Sequence, residues 1–395
     1  MMNREVVVLS AVRTAIGKYG GTLKDIPPTD LAAAVTRESV LRSGLDPKDV
    51  GVCVFGNVIH TDAKDMYLAR VAALKGGLPI ETSALTLNRI CGSGLSAIIA
   101  AAQAIAHGDA VAAVGGGAES MSRAPYWLPA LRWGARLNDT VATDVLVGAL
   151  TDPFETIHMG VTAEQVARKW NITREAQDAL AVESHRRALD AIQSGKFTDQ
   201  IVPIEVKIKG GTTQFATDES PRADATLQGL AKLKPVFDKT GTVTAGNSSS
   251  LNDGAAALVL MDKEAAEERG LKPIAKLIDY AVTGVEPGLM GIGPISAVRQ
   301  VFKRTGMTAD QIDVFEVNEA FAAQALAVVC DLDLPAAKTN PNGSGISLGH
   351  PLGATGAIVT VKALHELRRI GGRYALVTLC IGGGQGIAAI FEALN

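Results

Sequence analysis

Two widely separated stretches of this chain repeat one pattern, and that repetition limits the possible folds more than any other feature. Residues 49–55 (DVGVCVF) resemble residues 311–317 (QIDVFEV), and CGSG at 91–94 stands where HPLG stands at 350–353, an offset of about 260 residues in both cases. A whole unit repeated at constant offset points to an ancient duplication. In each copy a short apolar strand leads through a glycine turn into a long apolar helix, over residues 95–107 in the first and 354–370 in the second. Gly108 and Gly371 are placed as C-terminal caps. Each half is therefore expected to be a layered α/β unit with strands of Val, Ile, Leu and Ala buried on both faces.

Between the halves the character changes to charged amphipathic helices and Gly/Thr-rich turns, which reads as an inserted lid. The expected division is a first half made of residues 1–118 and 248–270, a lid or loop domain over 119–247, and a second half over 271–395. Within the lid, residues 162–165 (TAEQ) match a capping box opening a helix. A second helix is expected over 174–194, ending at Gly195, and GGTT at 210–213 reads as a hairpin turn or loop.

Length and composition are consistent with this plan. A chain of 395 residues with 47% apolar content can bury a large core in two or three domains, and 4% aromatics against 41 glycines imply close packing of small side chains. Lys and Arg total 38 against 41 Asp and Glu, a net charge of -3, so no global field favours nucleic acid. Cys53, Cys91, Cys330 and Cys380 form no C-x-x-C pair, which argues against a zinc site or a secreted disulfide framework. No apolar stretch is read as long enough to span a bilayer. A first strand is read directly at residues 4–9, without a signal peptide, and the final EALN is no peroxisomal address. A bacterial-type cytoplasmic location is the expectation.

Three glycine-dense runs each hold one reactive side chain: Cys91 in NRICGSGL, His350 in SLGHPLGATG and Cys380 in LCIGGGQG. Cys91 lies at an expected strand-to-helix junction, where the helix dipole and free N–H groups favour a thiolate; its bland alternative is a small core residue. The flanking Gly92 and Gly94 read as room for a substrate. His350, fixed between Gly349 and Pro351, reads as an acid-base group or a helix cap. Cys380 at a strand end is either inert or a proton shuttle, and Gly382 can offer its N–H to a reacting oxygen. Asn318, ending a strand in FEVNEAFA, either caps the next helix or orients a water or carbonyl. The duplication would bring Cys91 and His350 together where two helix N-termini converge. Together the groups read as a cysteine-dependent acyl transferase.

In family order, the cysteine run at 91, VNEAFA, GHPLGATG and CIGGGQG resemble the thiolases, acetyl-CoA acyltransferases, over essentially the full chain. The wording NPNGSGISLGHP is similar to that of bacterial broad-range β-ketothiolases of polyhydroxyalkanoate synthesis, whereas other bacterial thiolases more often have GGA at 343–345. The resemblance implies a thiolase-like duplicated αβαβα core, a loop domain binding coenzyme A as substrate, no metal, and homo-oligomers of paired dimers. It implies Cys91 as nucleophile, His350 as its base, Cys380 as the second acid-base thiol, and a water on Asn318. The Cys91 and Gly382 N–H groups would form an oxyanion hole. It further places Ser249 on the pantetheine arm, Arg222 on the adenine nucleotide, and His158 near the thioester. Leu150, Met159, Phe237, Met290 and Phe321 would line the acyl-pantetheine pocket. Ser250 stands where many thiolases have glycine.

Two rivals fit poorly. GISLG at 345–349 matches the serine-hydrolase elbow, yet no Asp or Glu lies between Ser347 and His365 to supply the triad acid in its usual order. GGGQG at 382–386 is too close to the C-terminus to begin a dinucleotide-binding unit. A decarboxylating ketoacyl synthase would share the duplicated fold but has no use for Cys380.

Overall fold

The computed structural model describes residues 4–394; Met1, Met2, Asn3 and Asn395, on which part of the reading of the termini falls, lie outside the described residues. Strands β1 (Val6–Thr14), β2 (Val50–Gly56), β3 (Ser83–Leu87), β4 (Ala112–Ser120) and β5 (Asn252–Asp262) build the first half. Strands β6 (Ala275–Gly284), β7 (Val314–Val317), β8 (Tyr374–Ile381) and β9 (Gln385–Ala393) build the second. Their order is β7-β8-β9-β6-β1-β5-β4-β2-β3. β2 runs parallel to β3 and β4, and β7 runs parallel to β8, while the β4–β5 and β8–β9 pairs are antiparallel. Four strands of each half-sheet thus repeat one topology, the arrangement expected from the duplication, and β3 is an addition to the first. They join through a short β1–β6 ladder, Val7 to Lys276 and Val8 to Ala275, so the sheet is continuous across the molecule.

Five layers follow from the helix packing. Helix α1 (Pro28–Ser43) covers β1, β4 and β5 on one outer face, and α5 (Gly293–Thr305) covers β6, β8 and β9 on the other. Helices α2 (Ser93–His107) and α7 (Leu352–Ile370) pack on each other between them, and α7 touches strands of both halves. Both end at the predicted glycines, Gly108 with φ 93° and Gly371 with φ 64°. Contrary to the sequence expectation, residues 90–107 are long and apolar enough to cross a membrane. In this fold α2 spends that apolarity on the central layer, with Leu95, Ala97, Ile98, Ala101 and Ile105 buried.

The insertion leaves after Ser120 and returns at Asn252, whereas the equivalent strands β8 and β9 are joined by Gly382–Gly384 alone. Its main helices are α3 (Met159–Lys169) and α4 (Arg174–Gln193), which pack on α6 (Ala322–Asp331) of the second half. Helix α4 ends as expected, with Gly195 at φ 72°. Helix α3 does not begin at the predicted capping box. His158 is its N-cap, its ring accepting from Gly160 N at 3.0 Å, and Thr162 lies inside the helix, donating to Met159 O. A histidine ring is a rarer cap than threonine, which is why the local pattern misled. Gly210 turns a hairpin of Ile204–Ile208 and Gly211–Phe215, so Thr212 and Thr213 are strand residues. The insertion is pinned to β1 by a fully buried, bidentate Arg13–Asp218 pair at 2.7 and 2.9 Å, with Gln200 Oε1 on Arg13 Nε.

Candidate active site

Cys91 lies in the turn between β3 and α2. Ile90 before it has φ 46°, a left-handed conformation that costs on the order of 1–3 kcal/mol for a β-branched residue. The turn is held by local bonds. Asn88 Oδ1 accepts from Ile90 N at 2.8 Å, while buried Ser93 Oγ accepts from Arg89 N at 2.8 Å and donates to Ile90 O at 2.7 Å. The neighbouring glycines have a cause besides the one the sequence suggested. A Cβ on Gly92 would fall 2.5 Å from the Ile381 side chain, and one on Gly94 would fall 2.6 Å from Ala357 N. The α2–α7 crossing requires Gly94, and Gly92 leaves room for the Ile381 side chain, so both have a packing reason beside the room for a substrate.

His350 is fixed from three directions. Its N–H donates to Asn252 Oδ1 at 3.0 Å, which is possible only because Gly349 has no side chain: a Cβ there would sit 2.3 Å from the Asn252 carboxamide. Thr355 Oγ1 donates to Pro351 O at 2.9 Å and therefore accepts from His350 Nδ1 at 2.6 Å. That pattern assigns the ring proton to Nδ1. Nε2 keeps a lone pair, which faces the Asn318 amide nitrogen at 3.4 Å. Asn318 does not cap the following helix; that position belongs to Phe321. Its Oδ1 is buried without a partner among the described residues.

Cys380 is the penultimate residue of β8 and fully buried, within the strand rather than after it. Cys91, Cys380, His350 and Gly382 line a single cavity of about 440 Å³. Burial pushes the Cys91 thiol up to about 12; the N–H groups of Gly382 and of Cys91 itself oppose this, and the charge of Glu119 adds to it. Desolvation thus works against the thiolate that the helix N-terminus was expected to favour, and the two hydrogen bonds work for it. Burial, and then the neighbouring Cys91, raise Cys380 as well. Burial holds His350 down at about 4, so it is neutral at pH 7 and able to accept a proton. Both cysteines are free thiols.

The chain matches the thiolase N-terminal domain over residues 6–264 and the thiolase C-terminal domain over 271–393. The chain belongs to the thiolase family. It is 60% identical to beta-ketothiolase BktB of Cupriavidus necator over 394 residues, covering 100% of both chains. The crystal structure of the Bacillus anthracis acetyl-CoA acetyltransferase superposes with a TM-score of 0.97 at 47% identity, covering 100% of both chains. Human mitochondrial 3-ketoacyl-CoA thiolase in complex with CoA gives 0.96 at 44% identity, over 100% of this chain and 99% of that one.

The remaining predicted residues of this thiolase meet at the same cavity. Leu150, Met159 and Met290 supply apolar wall, Ser249 and Arg222 also line the cavity, and Arg222 borders a second, outer cavity as well. His158 stacks on Phe237 at 4.6 Å, and Phe237 meets Phe321 edge-on at 6.4 Å. A Cβ on Gly160 would lie 2.2 Å from the Phe237 ring, so that stack dictates the glycine. Ser347 of the hydrolase-like motif is fully buried and bonded to Ser184 and Ser344, and it is not among the cavity-lining residues.

Sequence reasoning missed three groups. Thr355 sits five residues after His350, in the first turn of α7, a spacing that could have suggested it. Asn252 and Glu119 come from distant strands and carry no local signal. Fully buried Glu119 accepts from Asn57 Nδ2, Val58 N, Ile59 N and Gly353 N at 2.8 to 3.1 Å, tying the first half to the start of α7. Burial lifts its carboxyl to about 7.

Proposed function

We propose that this thiolase carries its acyl group on Cys91 with His350 as base and Cys380 as the second proton carrier. Thiolases are acyltransferases that interconvert a 3-ketoacyl-CoA plus coenzyme A with an acyl-CoA plus acetyl-CoA, without a tightly bound cofactor. In the cleavage direction His350 Nε2 takes the Cys91 proton and the sulfur adds to the 3-keto carbon. The bond between C2 and C3 breaks, its electron pair passes to the acetyl-CoA enolate, and Cys380 gives its proton to the enolate carbon. Coenzyme A then loses its thiol proton to Cys380 and attacks the Cys91 thioester. The acyl-CoA leaves, and Cys91 recovers its proton from His350. The Cys91 and Gly382 N–H groups would hold the tetrahedral oxyanion, and His350 with a water on Asn318 the enolate oxygen. Condensation reverses each step.

The observation that carries this reading is that His350, the two thiols and Gly382 line one cavity. The insertion between β4 and β5 would serve as the coenzyme-binding lid, with Ser249 and His158 on the pantetheine arm and thioester and Arg222 toward the nucleotide. Leu150, Met159, Phe237, Met290 and Phe321 would enclose the acyl-pantetheine chain. A role in polyhydroxyalkanoate synthesis rests on the resemblance of NPNGSGISLGHP at 340–351 to the β-ketothiolases of that synthesis, and a cytoplasmic site on the bacterial relatives.

A tetramer built from dimers is supported by exposed apolar groups that a lone subunit would leave in water. Trp133 is 84% and Leu137 85% exposed on the insertion, and Leu85 of edge strand β3 is 51% exposed. Incubation with a 3-ketoacyl-CoA, followed by mass analysis, should show the acyl group on the Cys91 peptide. Turnover without that adduct would exclude the covalent route.

A further inference from the structure

Two consecutive residues of α4 reach opposite ends of the site. Ser184 Oγ donates to Glu319 Oε2 at 2.6 Å, and Glu319 Oε1 accepts from Asn340 Nδ2 at 2.9 Å. Asn340 in turn pairs with both backbone groups of Val317, through Val317 N on Oδ1 at 2.9 Å and Nδ2 on Val317 O at 2.8 Å. Asn318, the partner of His350, lies between these two anchored residues. Space around it is tight, because a Cβ on Gly345 would fall 2.6 Å from Glu319 O and 2.8 Å from Asn318 Oδ1. Ser347 shares the Ser184 hydroxyl at 2.8 Å, and all these polar side chains are buried.

The next residue, His185, is 7% exposed, and its Nδ1 accepts from Arg222 N at 3.1 Å. Arg222 borders both the catalytic cavity and the outer cavity, which His185, Lys18 and Tyr19 also line. One helical step of the insertion therefore bonds to the strap carrying Asn318 and to the segment carrying Arg222.

We infer that Ser184 and His185 are positioning residues serving the two ends of the site: Ser184 sets Asn318 against His350 through Glu319, and His185 sets the Arg222 segment that receives the far end of the acyl carrier. The inference rests on the mechanism proposed above. It separates two kinetic effects, since a misplaced Asn318 harms bond making for any carrier, whereas a misplaced Arg222 harms only a carrier long enough to reach it.

The test uses acetoacetyl-pantetheine, which lacks the nucleotide, as the acyl donor and compares its thiolysis by coenzyme A with that by pantetheine. Ser184→Ala should lower kcat about tenfold with either thiol and leave both KM values within about twofold. If that variant does not fold, Ser184→Cys, similar in size but a weak donor, takes its place. His185→Leu should raise KM for coenzyme A about tenfold and leave kcat and the pantetheine constants unchanged, and His185→Gln, whose carbonyl can accept from Arg222 N, should restore it. A folded Ser184 variant with wild-type kcat, or a His185→Leu that shifts both thiols by one factor, overturns the inference. Wild type that never acylates Cys91 overturns the underlying mechanism and this inference with it.

Discussion

Replacing Thr355 with Val isolates what would fit His350 to the role of base proposed above. The two side chains are nearly isosteric, but the 2.6 Å acceptor for His350 Nδ1–H is lost. A buried N–H without a partner costs about 1–3 kcal/mol. The ring can escape that cost by moving its proton to Nε2. There, the Asn318 amide can turn and offer Oδ1, which has no partner among the described residues. The base would then be blocked in most molecules. A preference of about 2 kcal/mol turned against the active tautomer lowers its population roughly thirtyfold, since 1.4 kcal/mol is a factor of ten. We expect kcat for thiolysis, followed by loss of the 3-ketoacyl-CoA, to fall about 10- to 100-fold in Thr355→Val with KM for coenzyme A unchanged, and Thr355→Ser to recover most of it. Wild-type kcat in a correctly folded Thr355→Val would refute the tautomer argument.

Cys91→Ala should abolish acyl transfer while melting within a few degrees of wild type, and residual thiolysis would remove Cys91 from the mechanism. Cys380→Ser should still acylate at Cys91 but exchange deuterium into acetyl-CoA at least about 10²-fold more slowly; exchange at the wild-type rate would contradict the shuttle. His350 has its folded value held at about 4 against 6.5 unfolded. Its neutral burial costs nothing above pH 6.5 and removes about 3 kcal/mol of stability as pH falls from 6.5 to 4. Glu119, raised to about 7, acts in the opposite direction, so the His350 part is read as the difference between denaturant titrations of wild type and His350→Gln. An equal pH slope in both proteins would count against it. In the β8–β9 turn, Gly384→Ala should destabilise by more than about 2 kcal/mol, because φ is 83° and a Cβ would meet Val285 O at 2.4 Å. Gly382→Ala meets only the flexible Met159 thioether at 3.2 Å and should be mild; thermal melts that reverse this order would refute the packing argument.

Local spacing marked the residues proposed to act but not the surroundings in which they sit. Cys91, His350, Cys380 and Asn318 were legible because each sits in a short motif whose neighbours are unusual by themselves. The glycines beside Cys91 were legible but their packing reason was not, since the contacts behind it, Ile381 and Ala357, are hundreds of residues away. The start of α3 was missed because His158 became a cap only by virtue of the stack on Phe237 that fixes its ring.

The order of apolar and glycine residues along the chain is enough to specify two α/β halves, an insertion and the four reactive groups, because duplication, periodicity and capping are properties of neighbouring residues. Tertiary structure alone decided which nitrogen of His350 holds the proton, how far burial raises two thiols, and that Glu119, Asn252 and Ser184 brace the site. Those outcomes depend on solvent exclusion and on partners contributed by distant strands and helices, and neither quantity exists until the halves and the insertion have packed together.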